Sequence, residues 1–235
     1  MRFALFALLL CGIGSAATLP GALTVPQIEE VTRVLGMGAA TRILRAADAY
    51  PSWPGTKIGV ETVFLSTGNL RLLGNQTGSI DNLLIAPRIY LSKGLFQRLE
   101  LTLSALPFAL NTAATYGGAL KWTFAPESEQ WAAMAAWVGV TQVNAFQGEF
   151  EATTAEVGVV ISKDYVRLKP FIGAALMASR GHVHPALAQS IPEGAIGLGT
   201  HLFVGAEIEL PVQVSFQVEA VNADPAVSFF VGKHF

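Results

Sequence analysis

The sequence predicts an all-β fold, a single antiparallel transmembrane β-barrel of about ten strands, preceded by a signal peptide and a short N-terminal helix. Hydrophobic residues make up 51% of the 235-residue chain and charged residues only 14%, with a mean hydropathy of +0.46. No apolar run of about 18 residues or more follows the N-terminus, so helices are not predicted to span a membrane. Apolar and polar residues instead alternate over many short segments, which gives each strand one apolar face.

Residues 1–17 have the composition of a secretory signal peptide. Arg2 supplies the positive start, residues 3–10 form the apolar region, and Ala17 ends a small-residue cleavage site. The only cysteine, Cys11, is either a lipid-anchored cysteine or an incidental residue of the apolar region. Leu10 precedes it where a lipoprotein signal requires a small residue, which favours the incidental interpretation. The mature chain then has no thiol chemistry.

Residues 18–55 form the predicted N-terminal helical segment. Apolar residues recur at three- and four-residue steps over residues 26–47, and Pro26 suits the first turn of a helix. Gly36 and Gly38 weaken the middle of this helix. Two placements fit the pattern about equally, a periplasmic helix packed beneath the barrel and a plug inside its lumen. A helix on the membrane surface fits less well, because the basic residues do not share one long face.

Residues 56–235 are predicted to form the barrel. The clearest alternation lies in 195–210, where apolar residues such as Ile196 and Leu198 oppose small or polar residues such as Gly197. A soluble β-sandwich or lipocalin-like barrel is the second fold to consider, but its solvated face would carry more charge than these segments do. The predicted strands are 56–66, 82–92, 98–106, 115–124, 131–143, 154–162, 166–178, 195–210, 212–221 and 227–235.

The lengths of the connections provide a second test of the barrel. Membrane barrels have short periplasmic turns and longer extracellular loops. The connections predicted to be periplasmic are brief and span 93–97, 126–129, 163–165 and 210–211. The connections predicted to be extracellular span 67–81, 107–114, 144–153, 179–194 and the short 222–225. An even strand number places both ends of the barrel at the periplasmic side.

The C-terminal strand carries a recognisable signature. Val227, Phe229 and Val231 alternate with the residues between them, and the chain ends on Phe235. This strand resembles the C-terminal signature of Gram-negative outer-membrane β-barrel proteins. A Ser-Lys turn before a strand with an internal proline, at Ser162 and Pro170, also resembles uncharacterised proteobacterial barrels of this kind.

The resemblance implies a location and partners. It implies export by the signal peptide to the bacterial outer membrane, contact with outer-membrane lipids and lipopolysaccharide, and recognition of Val227, Phe229, Val231 and Phe235 by the barrel-assembly machinery. The formal net charge of −2 argues against a nucleic-acid partner.

Charged residues of both signs fall on the predicted inward faces. Charges in the narrow interior of such a barrel must be paired or hydrated. They are predicted to brace a filled lumen, or alternatively to line a narrow pore with no strong ion preference. The predicted lumen charge network is Glu61, Arg88, Glu100, Lys121, Arg167, Lys169, His201, Glu207, Glu209 and Glu219.

The sequence favours a structural or passive small-pore barrel with no cofactor and no metal site. The alternatives are an envelope lipid-modifying enzyme of barrel type and a surface binding or adhesion barrel. Histidines are the first enzyme candidates, but His182 and His184 fall in a predicted loop, and His201 and His234 lie at the lumen wall and the rim. No motif of a barrel enzyme maps onto these positions, so no catalytic residue is assigned.

Overall fold

The protein folds into one closed barrel of ten antiparallel strands, as predicted. The computed structural model describes residues 18–38, 40, 45–48, 55–76, 82–96, 98–106, 113–188, 194–222 and 224–235. Each strand pairs with its neighbours in sequence, and β10 closes the barrel against β1. The strands are β1 (Thr56–Ser66), β2 (Leu83–Gly94), β3 (Leu99–Ala105), β4 (Ala113–Ala125), β5 (Ala133–Ala145), β6 (Phe150–Ser162), β7 (Leu168–Val183), β8 (Gly194–Glu209), β9 (Gln213–Val221) and β10 (Asp224–His234).

The apolar and polar residues that alternate in the sequence are the outward and inward residues of the barrel wall. Ile196 and Leu198 project outward and remain 66% and 74% exposed, whereas inward-facing Glu61 and Ser228 are fully buried. The exterior therefore presents apolar side chains, and the buried charged side chains lie in the interior. A soluble barrel would show the opposite arrangement, so the exterior fits a hydrocarbon environment.

The two ends of the barrel differ. One end, here called the short-turn end, carries the β2–β3, β4–β5, β6–β7 and β8–β9 connections together with the start of β1 and the end of β10. The other end, here called the loop end, carries the remaining connections. Two loops are shorter than predicted, because β5 and β6 extend to Ala145 and Phe150, and β7 extends to Val183. These three side chains join a buried apolar cluster inside the barrel, which stabilises the extra strand residues.

The N-terminal helix is shorter than predicted. Helix α1 (Val25–Val31) begins at a capping box formed by Thr24 and Gln27, continues into a π-helical turn (Thr32–Met37), and ends near Gly38. Residues 40 and 45–48 are not helical. A methyl group on Gly36 would lie 3.1 Å from the Cβ of Ala152, so this glycine allows the helix to approach the wall closely. No helix in the described ranges is long and apolar enough to cross a membrane.

The interior has two differently lined halves. The half toward the loop end, here called the upper lumen, holds an apolar cluster in which helix α1 packs against inward residues of the wall. The half toward the short-turn end, here called the lower lumen, holds the buried charges Glu100 and Lys121 and an aromatic cluster around Trp137 and Phe203. The predicted signal peptide, residues 1–17, lies outside the described residues.

Candidate functional site

The N-terminal segment lies inside the barrel and contacts its wall at both ends. We call the described residues 18–38, 40 and 45–48 the lumen strap. At the loop end, the backbone N–H of Leu19 donates to the Glu149 carboxylate at 3.1 Å, and that of Leu23 donates to the Leu187 carbonyl at 2.8 Å. These partners belong to two different loops, so the strap begins among the loops at this end.

An arginine fixes the helical part of the strap to the wall. The Arg33 guanidinium contacts both carboxylate oxygens of Glu30, at 2.5 and 2.9 Å, and donates to Asp224 of β10 at 2.7 Å. The hydrogen bond to Glu30 raises the pKa of the Arg33 guanidinium above its ordinary value. Below this level, the Ala40 carbonyl accepts a hydrogen bond of 2.8 Å from Arg88 of β2.

The strap reaches the short-turn end through a dense set of polar contacts. Arg45 forms an ion pair with Glu100 of β3. Lys121 of β4 donates to the carbonyls of Ala46 and Asp48, both at 2.9 Å. The next strap residue also contacts two strands, because the Ala47 N–H donates to the Ser162 hydroxyl at 2.8 Å and its carbonyl accepts from Thr123 at 2.5 Å. Three strands therefore hold one backbone turn of the strap.

The structure brings several of the predicted charges together. Arg88 lies 3.8 Å from Glu61, Lys121 lies 3.3 Å from Glu100, and Lys169 lies 2.9 Å from Glu209. The first two pairs are buried, whereas Glu209 is half exposed at the short-turn end. Glu207 is buried, and its carboxylate accepts a hydrogen bond of 3.4 Å from the Ala46 N–H.

Arg167 does not belong to this network. The structure places it in the turn before β7, where its side chain is exposed. The strand was predicted to start at residue 166, but Val166 adopts a positive φ of 61° in a tight turn. The N–H groups of both Arg167 and Leu168 donate to the Tyr165 carbonyl, which replaces the first ladder contacts expected of a strand.

His201 and Glu219 form a separate polar cluster in the wall. The His201 ring nitrogen lies 2.6 Å from the Glu219 carboxylate, which also accepts hydrogen bonds from Ser228 at 2.7 Å and Gln217 at 3.0 Å. Because Ser228 donates to the carboxylate, this is not the order of contacts in a nucleophilic triad, where the histidine accepts from the serine. These contacts satisfy the hydrogen-bonding capacity of the buried Glu219 carboxylate.

The other histidines do not assemble a site with it. His182 is exposed at the end of β7, His184 is exposed in the following loop, and His234 ends β10 at the short-turn end. Within the described ranges, no group of three or more His, Cys, Asp or Glu side chains is placed to hold a metal ion.

Sequence reasoning missed two cations of the lower lumen. Arg45 precedes the barrel, so it resembles one more polar residue of an amphipathic helix. The predicted network also omits Lys57, an inward residue of β1 that is 2% exposed, with its ammonium 4.0 Å from the centre of the Phe230 ring. Small residues on the inward faces of the strands, such as Gly197, were a sequence signal that the interior is crowded, but they do not identify these two cations.

A cavity of about 440 Å³ remains beside the strap at the short-turn end. Its lining mixes both charge signs and includes Arg45, Asp48, Lys169, Glu207, Gln213 and His234. Burial raises the pKa of the Asp48 carboxyl above its ordinary value. The cavity is a polar vestibule between the strap and the rim.

Comparisons with known proteins give fold-level likeness only. No protein-family model and no curated protein matches the chain. Neisserial surface protein A is 13% identical over 76% of this chain and 94% of its own, with a TM-score of 0.33. The KdgM porin, solved with disordered oligogalacturonate, is 5% identical over 77% and 99%, with a TM-score of 0.39. Omp33 of Acinetobacter baumannii is 9% identical over 81% and 100%, with a TM-score of 0.35. Values this low assign neither a family nor a function.

Proposed function

We propose that the protein is a bacterial outer-membrane barrel with a structural or passive role, and that its N-terminal segment closes the lumen as a plug. The observation that carries this proposal is the set of contacts that the strap makes with the wall from one end to the other. Arg33 binds β10, Ala40 accepts from β2, and Ala47 is held between β4 and β6. A small-pore activity then requires displacement of the strap.

The apolar exterior and the unequal barrel ends support the location. The loop end faces the outside of the cell and the short-turn end faces the periplasm, as in bacterial barrels generally. Large exposed aromatic side chains lie near the short-turn end, where they meet the membrane interface as an aromatic girdle; they are Phe96, Trp122, Phe124, Trp131, Tyr165 and Phe235. Export occurs through the signal peptide at residues 1–17.

The same proposal assigns roles to the last strand and the exterior. Val227, Phe229, Val231 and Phe235 are the residues recognised by the barrel-assembly machinery, and the first two project outward from β10. The apolar exterior contacts outer-membrane lipids and, at the loop end, lipopolysaccharide.

The charges of the lower lumen brace the strap. Glu100 is shared between Arg45 of the strap and Lys121 of the wall, and Lys121 in turn binds strap carbonyls. Removing the strap would leave a mixed set of charges facing water. The open lumen is therefore expected to conduct with weak ion selectivity, since neither sign dominates.

Single-channel conductance tests this proposal. The mature chain is refolded, checked for heat-modifiable migration on a gel, and inserted in a planar bilayer. We expect the full chain to be silent and a variant lacking residues 18–50 to conduct in discrete steps. Equal steps from both proteins would refute the plug.

A second variant covers the case in which the deletion does not fold. Arg45→Ala with Ser162→Ala keeps the whole chain but removes an ion pair and a hydrogen bond from the lower end of the strap. Brief openings are expected in this variant. Ser215→Ala is the control, because Ser215 is also a buried hydroxyl of the wall, and it should stay silent.

A further inference from the structure

The two ends of the lumen strap differ in how they are joined to the barrel. The inner end is continuous with β1, which begins at Thr56 at the short-turn end. The outer end is the N-terminal one, and it lies at the loop end, where the Leu19 N–H donates to Glu149. The lower strap contacts Lys121 near the short-turn end. The strap therefore runs from the loop end inward, in the direction of the chain.

We call residues 18–23 the mouth segment, and three loops of the loop end hold it. The first is the β1–β2 loop. The Gly21 N–H donates to the Asn75 side-chain oxygen at 3.0 Å, and the Asn75 N–H donates to the Gly21 carbonyl at 2.9 Å. Gly74 has a positive φ of 53°, and a methyl group there would overlap the Gly21 carbonyl oxygen. This loop therefore fits closely against the backbone of the mouth segment.

The other two loops bind the mouth segment on either side of Gly21. The Leu19 N–H donates to the carboxylate of Glu149, in the β5–β6 loop, at 3.1 Å. The Leu23 N–H donates to the carbonyl of Leu187, in the β7–β8 loop, at 2.8 Å. The side chains of Leu19 and Leu23 are buried in the apolar cluster of the upper lumen. Hydrogen bonds and packing thus give the mouth segment a defined position.

Removal of the signal peptide creates a charge at this position. Thr18 is exposed at the outer boundary of the mouth segment, and it becomes the first residue when residues 1–17 are removed. An α-amino group has an ordinary pKa of about 7.7–8.0, so it is mostly a cation at neutral pH. This cation forms one residue from the N–H group that binds the Glu149 carboxylate. Opposite charges at this spacing attract each other.

We propose that the N-terminus of the mature chain is a cell-surface group, with its α-ammonium bound to the Glu149 carboxylate at the outer mouth of the barrel. This inference rests on the orientation and on the removal of residues 1–17 in the proposed function, but not on closure of the lumen. The cell surface then carries the end of the strap that can move, since the inner end is continuous with β1.

Epitope insertion tests the position of the N-terminus. An epitope is placed between Thr18 and Leu19 of the full chain, which keeps the cleavage site, and antibody binding is measured on intact and on permeabilised cells. We expect equal binding to both. An epitope after Leu72, which is 69% exposed in the β1–β2 loop, should also bind antibody on intact cells. An epitope between residues 210 and 211, in the β8–β9 turn, should bind only after permeabilisation.

The outcomes separate this inference from the proposed function. An N-terminal epitope that is reached only after permeabilisation would overturn the inference, whereas the plug would still be decided by conductance. An epitope at 210–211 that is reached on intact cells would reverse the proposed orientation, and the inference would fall with it. N-terminal sequencing of the purified protein should begin at Thr18, and retention of residues 1–17 would also overturn the inference.

Acylation of the α-amino group tests the contact with Glu149. Protein purified from outer membranes is treated briefly with an amine reagent at pH 7, and label on Thr18 is measured by mass spectrometry. The reagent attacks the uncharged amine, and a nearby carboxylate favours the ammonium form. Glu149→Gln should therefore raise the labelling rate about two- to fivefold, as expected for an exposed ion pair. Glu151→Gln, at an exposed residue of β6, is the matched control and should leave the rate unchanged. Equal rates in both variants would refute the contact.

A pair of glycine substitutions tests the hold on the mouth segment. Gly74→Ala places a methyl group against the Gly21 carbonyl, whereas Gly148→Ala, at a positive φ of 90° in the β5–β6 loop, adds a methyl group with no described neighbour within 4 Å. Both changes strain a loop, but the first also displaces the mouth segment. Hydrogen exchange at the Gly21 and Leu23 amides should rise at least about tenfold in the first variant and stay unchanged in the second. Equal exchange in two heat-modifiable variants would refute the proposed position of the mouth segment.

Discussion

Glu100→Gln is the substitution for which the structure predicts the largest loss of stability in the lower lumen. Glu100 is 1% exposed and contacts Arg45 of the strap and Lys121, whose ammonium lies 3.3 Å away. Converting it to an amide leaves two buried cations facing each other without their anion. Breaking a buried ion pair from one side costs about 3–5 kcal/mol, so we expect a loss of this size in the free energy of unfolding.

Glu207→Gln is the matched control. It makes the same chemical change in another buried carboxylate of the lower lumen, which accepts a hydrogen bond of 3.4 Å from the Ala46 N–H. The Glu207 charge also acts on Lys57 and Lys121. Unlike Glu100, however, Glu207 is not shared between the ion pairs of Arg45 and Lys121, so this variant should lose less stability.

Urea titration of the refolded barrels, followed by tryptophan fluorescence and by heat-modifiable migration, measures both losses. The Glu100 variant should also release the lower strap and show channel openings that the Glu207 variant lacks. Equal destabilisation of the two variants would refute the interpretation that Glu100 stabilises the barrel as an anion shared by Arg45 and Lys121. Destabilisation of the Glu100 variant without openings would show that the strap is held by its backbone contacts alone.

Three further predictions concern the wall and the strap. Gly158→Ala adds a methyl group 2.5 Å from the Trp137 ring, and the overpacking should cost about 1–3 kcal/mol in urea titrations, whereas Gly118→Ala, with its nearest neighbour at 3.5 Å, should change little. Arg33→Met removes an ion pair with the β10 wall and should increase hydrogen exchange in the strap helix, with a stability loss of about 1 kcal/mol. Asp48→Asn should stabilise the strap at neutral pH, because burial raises the pKa of this carboxyl above its ordinary value of 3.8 and so disfavours its charged form. The protonated form is favoured in the folded protein, so its contribution to stability is present at low pH and is lost as the pH rises. The difference in melting temperature between the Asp48 variant and the unchanged protein should therefore vanish as the pH falls below 3.8.

The strands could be predicted because the outward and inward positions of a membrane barrel require different types of residue. Each outward position must be apolar and each inward position must fit a crowded interior, so the period of two survives along the whole wall. Outward-facing Ile196 and Leu198 on either side of inward-facing Gly197 follow this constraint. Local patterning sufficed here because each strand pairs with its neighbours in the chain.

The path of the strap could not be predicted in the same way. Lys121 and Thr123 bind strap carbonyls, and carbonyl groups are present in every residue, so no sequence pattern reports these partners. The amphipathic pattern around α1 is real, but its apolar face meets the inside of the upper lumen. The pattern alone left the periplasmic and lumen placements equally open.

The inward aromatic rings explain why so many inward positions are glycine. The Phe230 ring lies against Gly59 on the neighbouring strand, the Phe203 ring lies against Gly173, and a methyl group at either glycine would overlap the ring. The sequence shows the glycines as small residues on a polar face. It does not show which ring each one accommodates, since that depends on the stagger between strands.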